Sequence, residues 1–335
     1  MKKTLQYIII ALGIVITVVS LIQAFKPNPE VAFTSYKGFT YSPKSYNKAQ
    51  DIENFYQKTK QSGNIVGWYG DWLELADQQK APYVITEQAK KYNLKTLVIV
   101  TPFNQTTGEL LRDLTIENKD AYFSGLRTYL QKYQPEYLGI GIEVNYFANK
   151  APDKLDQFVE LFNDTYNITK VTAPLTKIFT VFQYEHLKGL QGGLFGNNPN
   201  VPADWEFINK FNKADLYAFT TYPMLVFQNP EDIPADYYSE IKKHTDKPVA
   251  FTEIGWLRTA PDNLIQAGWD SSPEEQARFI TRFFDLTKEL NPRLMIWSFL
   301  YDQAPVTQQF NSCGLFSSAE DFTNLAAWDA WLSAK

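Results

Sequence analysis

A single cysteine, Cys313, stands among 335 residues. No disulfide can form within the chain, and a zinc site built on thiolates is excluded. Histidine is almost as scarce. His186 and His244 lie far apart, each near a lysine in polar sequence, so the histidines point neither to a metal centre nor to a Ser-His-Asp triad. No Lys/Arg cluster interleaves with aromatics, and 32 basic residues against 37 acidic ones give a net charge of −5. That excludes nucleic acid as a partner. No Gly-x-Gly-x-x-Gly opens a helix after a strand. Gly139-Ile140-Gly141 sits inside an apolar run and lacks the third glycine, so the phosphate cradle of a nucleotide-binding open sheet is missing. Nor does any linker-like stretch divide the chain.

Aromatic residues are what the chain has in excess, with 20 Tyr, 24 Phe and 8 Trp. Much of that must be core, and the remainder suits surfaces that stack on sugar rings. The N-terminus carries Lys2 and Lys3, then an apolar run from Tyr7 to Phe25, then Lys26-Pro27-Asn28-Pro29. Residues 1–29 therefore read as a signal peptide or signal anchor with a short linker, the apolar part forming a helix about long enough to span a bilayer. Cleavage after Ala24 would put Ile22 where a small residue is wanted, which favours an uncleaved anchor. Basic residues stay in the cytoplasm, so residues 30–335 are expected outside it, at the cell surface or secreted, with membrane contact only through residues 7–25.

From Gly38 onward, short β-rich apolar runs alternate with longer charged stretches of helical period. The runs are residues 38–42, 64–68, 96–101, 137–143, 178–183, 216–222, 249–255 and 294–300. Helices are expected between them, including PADWEFINKF after the fifth, ADYYSEIKKH after the sixth and SPEEQARFITRFFDLTKEL after the seventh. Ser272-Pro273-Glu274-Glu275 starts the last of these with a cap, a proline at the first helical position and early acidic residues. Strands alternating with helices predict parallel strands, and eight units predict a single-domain α/β fold, the (β/α)8 TIM barrel.

Active sites of such barrels are built at the C-terminal ends of the strands. Those ends offer Tyr41, Trp68, Tyr69, Glu143, Asn145, Tyr184, Tyr222, Glu253, Trp256 and Trp297. Asp71, Asn104, Gln183, Glu185 and Asp302 read as exposed loop residues. Two carboxylates end well-defined runs on opposite sides of the ring, Glu143 on the fourth and Glu253 on the seventh. A pair flanking one bond is what glycoside hydrolysis needs, one group as acid and then base, the other as nucleophile. That reaction requires neither metal nor organic cofactor.

GIEVN on the fourth run, TEIGW on the seventh and MIWSFLYD on the eighth resemble clan A glycoside hydrolases. Tyr222-Pro223 and the Glu253–Trp256 stretch bring endo-β-1,4-galactanases and plant-type β-1,3-glucanases nearest in flavour. The resemblance runs from about Gly38 to Lys335 and implies a retaining enzyme on a (β/α)8 barrel that acts on a poly- or oligosaccharide. It implies Glu143 as acid/base, Glu253 as nucleophile, Tyr222 as a hydrogen-bond donor to Glu253, and Trp297 as a stacking floor beneath the sugar. Tyr41, Trp68, Asn145, Tyr184 and Trp256 are the further candidates for substrate contact. Ile142 departs from the pattern, because many members carry Asn before the acid/base Glu. The alternative reading is a catalytically inactive barrel that binds carbohydrate or scaffolds a surface.

Overall fold

The computed structural model describes residues 35–334, apart from 106, 196–200, 267–268, 304–309 and 319–324. The targeting segment expected at 1–29 lies outside the described residues. Among those described, no helix is long and apolar enough to cross a membrane.

Every expected run forms a strand. They are β1 (Tyr36–Thr40), β2 (Ile65–Asp71), β3 (Lys95–Thr101), β4 (Tyr137–Ile140), β5 (Lys177–Phe179), β6 (Val181–Gln183), β7 (Tyr217–Thr221), β8 (Val249–Ile254) and β9 (Leu294–Trp297). All the pairings are parallel. The sheet order is β5-β4-β3-β2-β1-β9-β8-β7-β6. Its two edges, β5 and β6, are the halves of the fifth run, separated only by Thr180. The sheet therefore closes on itself as a barrel of the (β/α)8 kind.

Alternation along the strands sorts the side chains. Tyr36, Ile65, Leu97, Ile99, Val181, Ala218, Ala250, Leu294 and Ile296 pack into one cluster that fills the barrel. The intervening residues, such as Val66, Val98, Val100, Phe219 and Phe251, join a second and larger cluster with the helices. Beside a five-residue helix at Asp262–Gln266, the helices among the described residues are α1 (Ala49–Ser62), α2 (Ala81–Lys91), α3 (Ile116–Tyr133), α4 (Val144–Lys150), α5 (Leu155–Thr172), α6 (Tyr184–Leu187), α7 (Pro273–Thr287) and α8 (Leu325–Ser333). Ser272 caps α7 as its sequence predicts, accepting from the Glu275 amide.

Two expected helices are 3₁₀ turns instead. Trp205–Phe211 is a 3₁₀ segment that buries Trp205, Phe207, Ile208 and Phe211. After β7, Pro223 and Pro230 each open a separate short turn, and Pro234 follows before Ser239–Lys243. Proline removes the amide an α-helix needs, so the chain up to Pro234 is cut into pieces, and within 235–244 only Ser239–Lys243 forms a 3₁₀ turn.

The fourth run ends earlier than its composition suggests. β4 stops at Ile140, and Gly141 turns left-handed at φ +78°. A Cβ there would lie 2.4 Å from the Phe158 ring. Gly141→Ala is expected to cost about 2–4 kcal/mol in urea unfolding, from backbone strain and overpacking together. A loss under about 0.5 kcal/mol would show that the turn relaxes freely.

Candidate active site

Glu143 sits just beyond that turn, itself left-handed at φ +56°. Such a conformation costs a non-glycine residue roughly 1–2 kcal/mol and persists only where the surroundings fix it. Here α4 does so. The amides of Tyr146 and Phe147 donate to the Glu143 carbonyl at 2.9 and 3.0 Å. Phe147 stacks on Phe103 with ring centres 4.0 Å apart. Asn145 clamps α4 to β6, donating to the Gln183 carbonyl at 2.9 Å and accepting from its amide at 2.8 Å. Below Glu143, Ile142 belongs to the barrel interior.

Glu253 reaches the same mouth by a different device. Ala250 points into the barrel and Phe251 out of it, so plain alternation would turn Glu253 toward the helices. β8 carries an extra residue instead. Phe251 pairs with Phe219 while Glu253 pairs with Thr220, and Phe251 and Ile254 oppose Met295 and Trp297 on β9. Phe251 and Ile254 both face the helices, which leaves Thr252 and Glu253 together on the inner side. A bulge of this kind re-aims a side chain. Tyr69, on the inner face of β2, donates to the Thr252 carbonyl at 2.5 Å.

β7 and the residue that follows it give each carboxyl its own donor. The Thr220 hydroxyl donates to Glu143 Oε1 at 2.7 Å, and the Tyr222 phenol donates to Glu253 Oε2 at 2.7 Å. Gln105 Nε2 approaches Glu253 Oε1 at 3.5 Å, a longer and weaker contact. Burial pushes the Glu143 carboxyl up to about 8. The Glu253 charge adds to the rise and the Thr220 bond opposes it. Burial also raises Glu253, to about 7, against the bonds from Tyr222 and Gln105. Two like charges in one desolvated mouth are costly, so the pair retains a proton near neutrality. The richer donor set favours charge on Glu253 and leaves the proton on Glu143. Burial and the Glu253 charge hold the Tyr222 phenol well above 10, so it remains a donor.

Of the residues expected to touch substrate, only Tyr222 is joined to this pair. Trp297 is fully buried among the helices, beside Phe279 and Trp331, with its Nε1 on the Cys313 carbonyl at 3.0 Å. It offers no stacking floor. Trp68 likewise faces outward, into the helix-side cluster. Tyr41 packs on Phe55 and Tyr56 of α1. Tyr184 is core, its hydroxyl on the Tyr237 carbonyl, and Trp256 stacks on Phe279 at 4.9 Å. Asn145 spends its amide on the clamp to Gln183. Gln183, Glu185 and Asp302 are buried rather than exposed, Asp302 in an ion pair with Arg258 at 2.9 Å. Tyr69, offered with Trp68 at the end of the second run, is the one of the two that turns inward. The residues missed were Thr220 and Gln105; period-two counting from Ala218 finds the first, whereas nothing local marks Gln105.

No family model and no curated protein sequence matches the chain. Solved structures do match its fold. An exo-β-1,4-mannosidase from Opitutaceae bacterium strain TAV5 aligns at TM-score 0.62 and 13% identity over 88% of this chain. The match spans 58% of the mannosidase's own length. A GH5_18 protein from Bifidobacterium longum subsp. longum, in complex with Manβ1-4GlcNAc, aligns at 0.59 and 16% identity, covering 90% of this chain and 78% of that one. A GH113 β-1,4-mannanase aligns at 0.53 and 16% identity, covering 90% and 99%. At these identities the likeness is one of fold.

A carboxyl raised by folding binds its proton in the folded state at pH values where the unfolded chain has released it. Stability therefore falls as pH rises from the unfolded value, about 4.3, toward the folded one. Glu143→Gln removes that penalty. Its unfolding free energy, relative to the parent protein, is expected to gain about 1–3 kcal/mol between pH 5 and pH 8. A difference that stays flat with pH would contradict the raised carboxyl.

Proposed function

We propose that the chain is a retaining glycoside hydrolase in which Glu253 is the nucleophile and Glu143 the acid/base. The observation that carries this reading is the division of labour at the barrel mouth: two carboxyls, each with its own hydroxyl donor, Thr220 for Glu143 and Tyr222 for Glu253. Glu253, held ionised by the Tyr222 phenol, attacks the anomeric carbon of the bound sugar. Glu143 gives its proton to the departing glycosidic oxygen, leaving a covalent glycosyl-enzyme. The same Glu143, now a carboxylate, takes a proton from water as that water releases the sugar and frees Glu253. Every proton lost by Glu143 in the first step is recovered in the second.

The fold neighbours named above act on or bind β-1,4-linked mannosides, so such glycans head the substrate panel, followed by β-galactans and β-1,3-glucans. Glu143→Gln and Glu253→Gln are each expected to lose several orders of magnitude in turnover while remaining folded. Full activity in either variant would sink the assignment. A protein that binds glycans equally well before and after these substitutions, and turns none over, would instead be the non-cleaving barrel. Tyr222→Phe keeps the ring but removes the donor. It is expected to lower kcat by about 10–100-fold, with kcat and kcat/KM falling together. An unchanged kcat would remove Tyr222 from the reaction.

A further inference from the structure

Behind the pair lies a third carboxyl that the double displacement does not use. Glu185 is fully buried at the start of α6. Its Oε2 accepts from Gln183 Nε2 at 2.7 Å and from the Tyr222 amide at 3.3 Å. Its Oε1 meets the Thr221 hydroxyl at 2.7 Å and the Tyr237 hydroxyl at 3.0 Å. None of these partners is a cation. Lys188, three residues on, turns to Glu240 and the Tyr237 carbonyl. A buried carboxylate without a cation normally protonates. Burial pushes the Glu185 carboxyl up, and here two N–H groups that can only donate, with two hydroxyls that can, oppose that rise and favour the charge.

We propose that Glu185 is a positioning residue, an ionised carboxylate sealed behind Tyr222 that keeps Glu143 protonated and so sets the alkaline limit of catalysis. The inference rests on the hydrolase reading for its catalytic consequence, not for its electrostatics. Glu185 is wired to both reacting groups. One bond goes to the backbone of Tyr222, whose phenol serves Glu253. The other goes to Gln183, which Asn145 ties to the helix that Glu143 begins. Glu143 faces Glu253 from β8 and Thr220 from β7, and the Glu185 charge adds to the upward push on its carboxyl. Around Glu185 the other titratable groups are Tyr184, Tyr237 and Tyr238, all held protonated by burial. Lys188, His186, Asp236 and Glu240 stand farther out along the same segments.

Glu185→Gln tests this cleanly. The new amide oxygen can take the two N–H donors, and its NH₂ can face two hydroxyls that are each able to accept. Only the charge is lost. Carboxyl-carbon NMR titration of the intact protein, labelled at glutamate and assigned with Glu143→Gln, reads the effect without substrate. In Glu185→Gln the Glu143 midpoint is expected to fall by roughly half a pH unit or more. The alkaline limb of kcat/KM should move down with it, which a purely structural role would not produce. An unmoved midpoint in folded Glu185→Gln overturns the proposal. Should that variant not fold, Glu185→Asp assigns the Glu185 signal. An ionised Glu185 at pH 7 in the parent protein then supports the proposal, and a protonated one overturns it. A parent protein inactive on every glycan would remove the hydrolase reading and leave the titration readable.

Discussion

Two hydrogen bonds from the C-terminal end of β7 decide what the barrel mouth can do. Thr220 lies on β7 and Tyr222 just past its last residue, and each reaches a different carboxyl. Without that division Glu143 and Glu253 would be two similar acids competing for one proton. With it, the phenol of Tyr222 favours charge on Glu253, while Glu143, with the Thr220 hydroxyl as its donor among the described residues, is the group that favours the proton. Burial supplies the energy scale, because desolvation is the largest influence on both groups.

Bringing the carboxyls to β7 requires two departures from regular backbone. Glu143 is left-handed and Glu253 follows a bulge. Each is locally unfavourable, and each is over-determined by its surroundings. Phe103 stacks under Phe147, Asn145 clamps Gln183, and Tyr69 crosses the barrel to the Thr252 carbonyl. A regular β8 would have turned Glu253 into the helix layer beside Phe251. The aromatic excess is therefore mostly scaffold, since rings fill the space between barrel and helices and hold the irregular segments in shape.

The barrel was legible because it rests on a repeated local pattern. Eight apolar runs separated by helical stretches need no long-range information, and the closure through Thr180 follows from their number. The two carboxyls were legible because they end such runs. The aromatics were misread because a residue near a strand's C-terminal end is not thereby turned inward. Counting by twos from Leu294 and Ile296 puts Trp297 outside, and the same count from Ile65 puts Trp68 outside and Tyr69 inside. Glu253 defeats that count, since the bulge at Thr252 depends on neighbours in β7 and β9. Glu185 was illegible for a related reason. Its donors Thr221, Tyr222 and Tyr237 are 36 to 52 residues away, and Gln-Tyr-Glu-His alone looks like a surface turn.

The central claim is that Glu253 forms a bond to sugar. Glu143→Ala, mixed with aryl glycosides whose leaving groups need no proton, isolates that step, because attack proceeds while hydrolysis of the intermediate lacks its base. Intact-mass and peptide mass spectrometry then read the protein directly. The account predicts a stable gain of one glycosyl unit on the peptide that contains Glu253. Release of the aryl group with no sugar on Glu253, or with sugar on another residue, would contradict it.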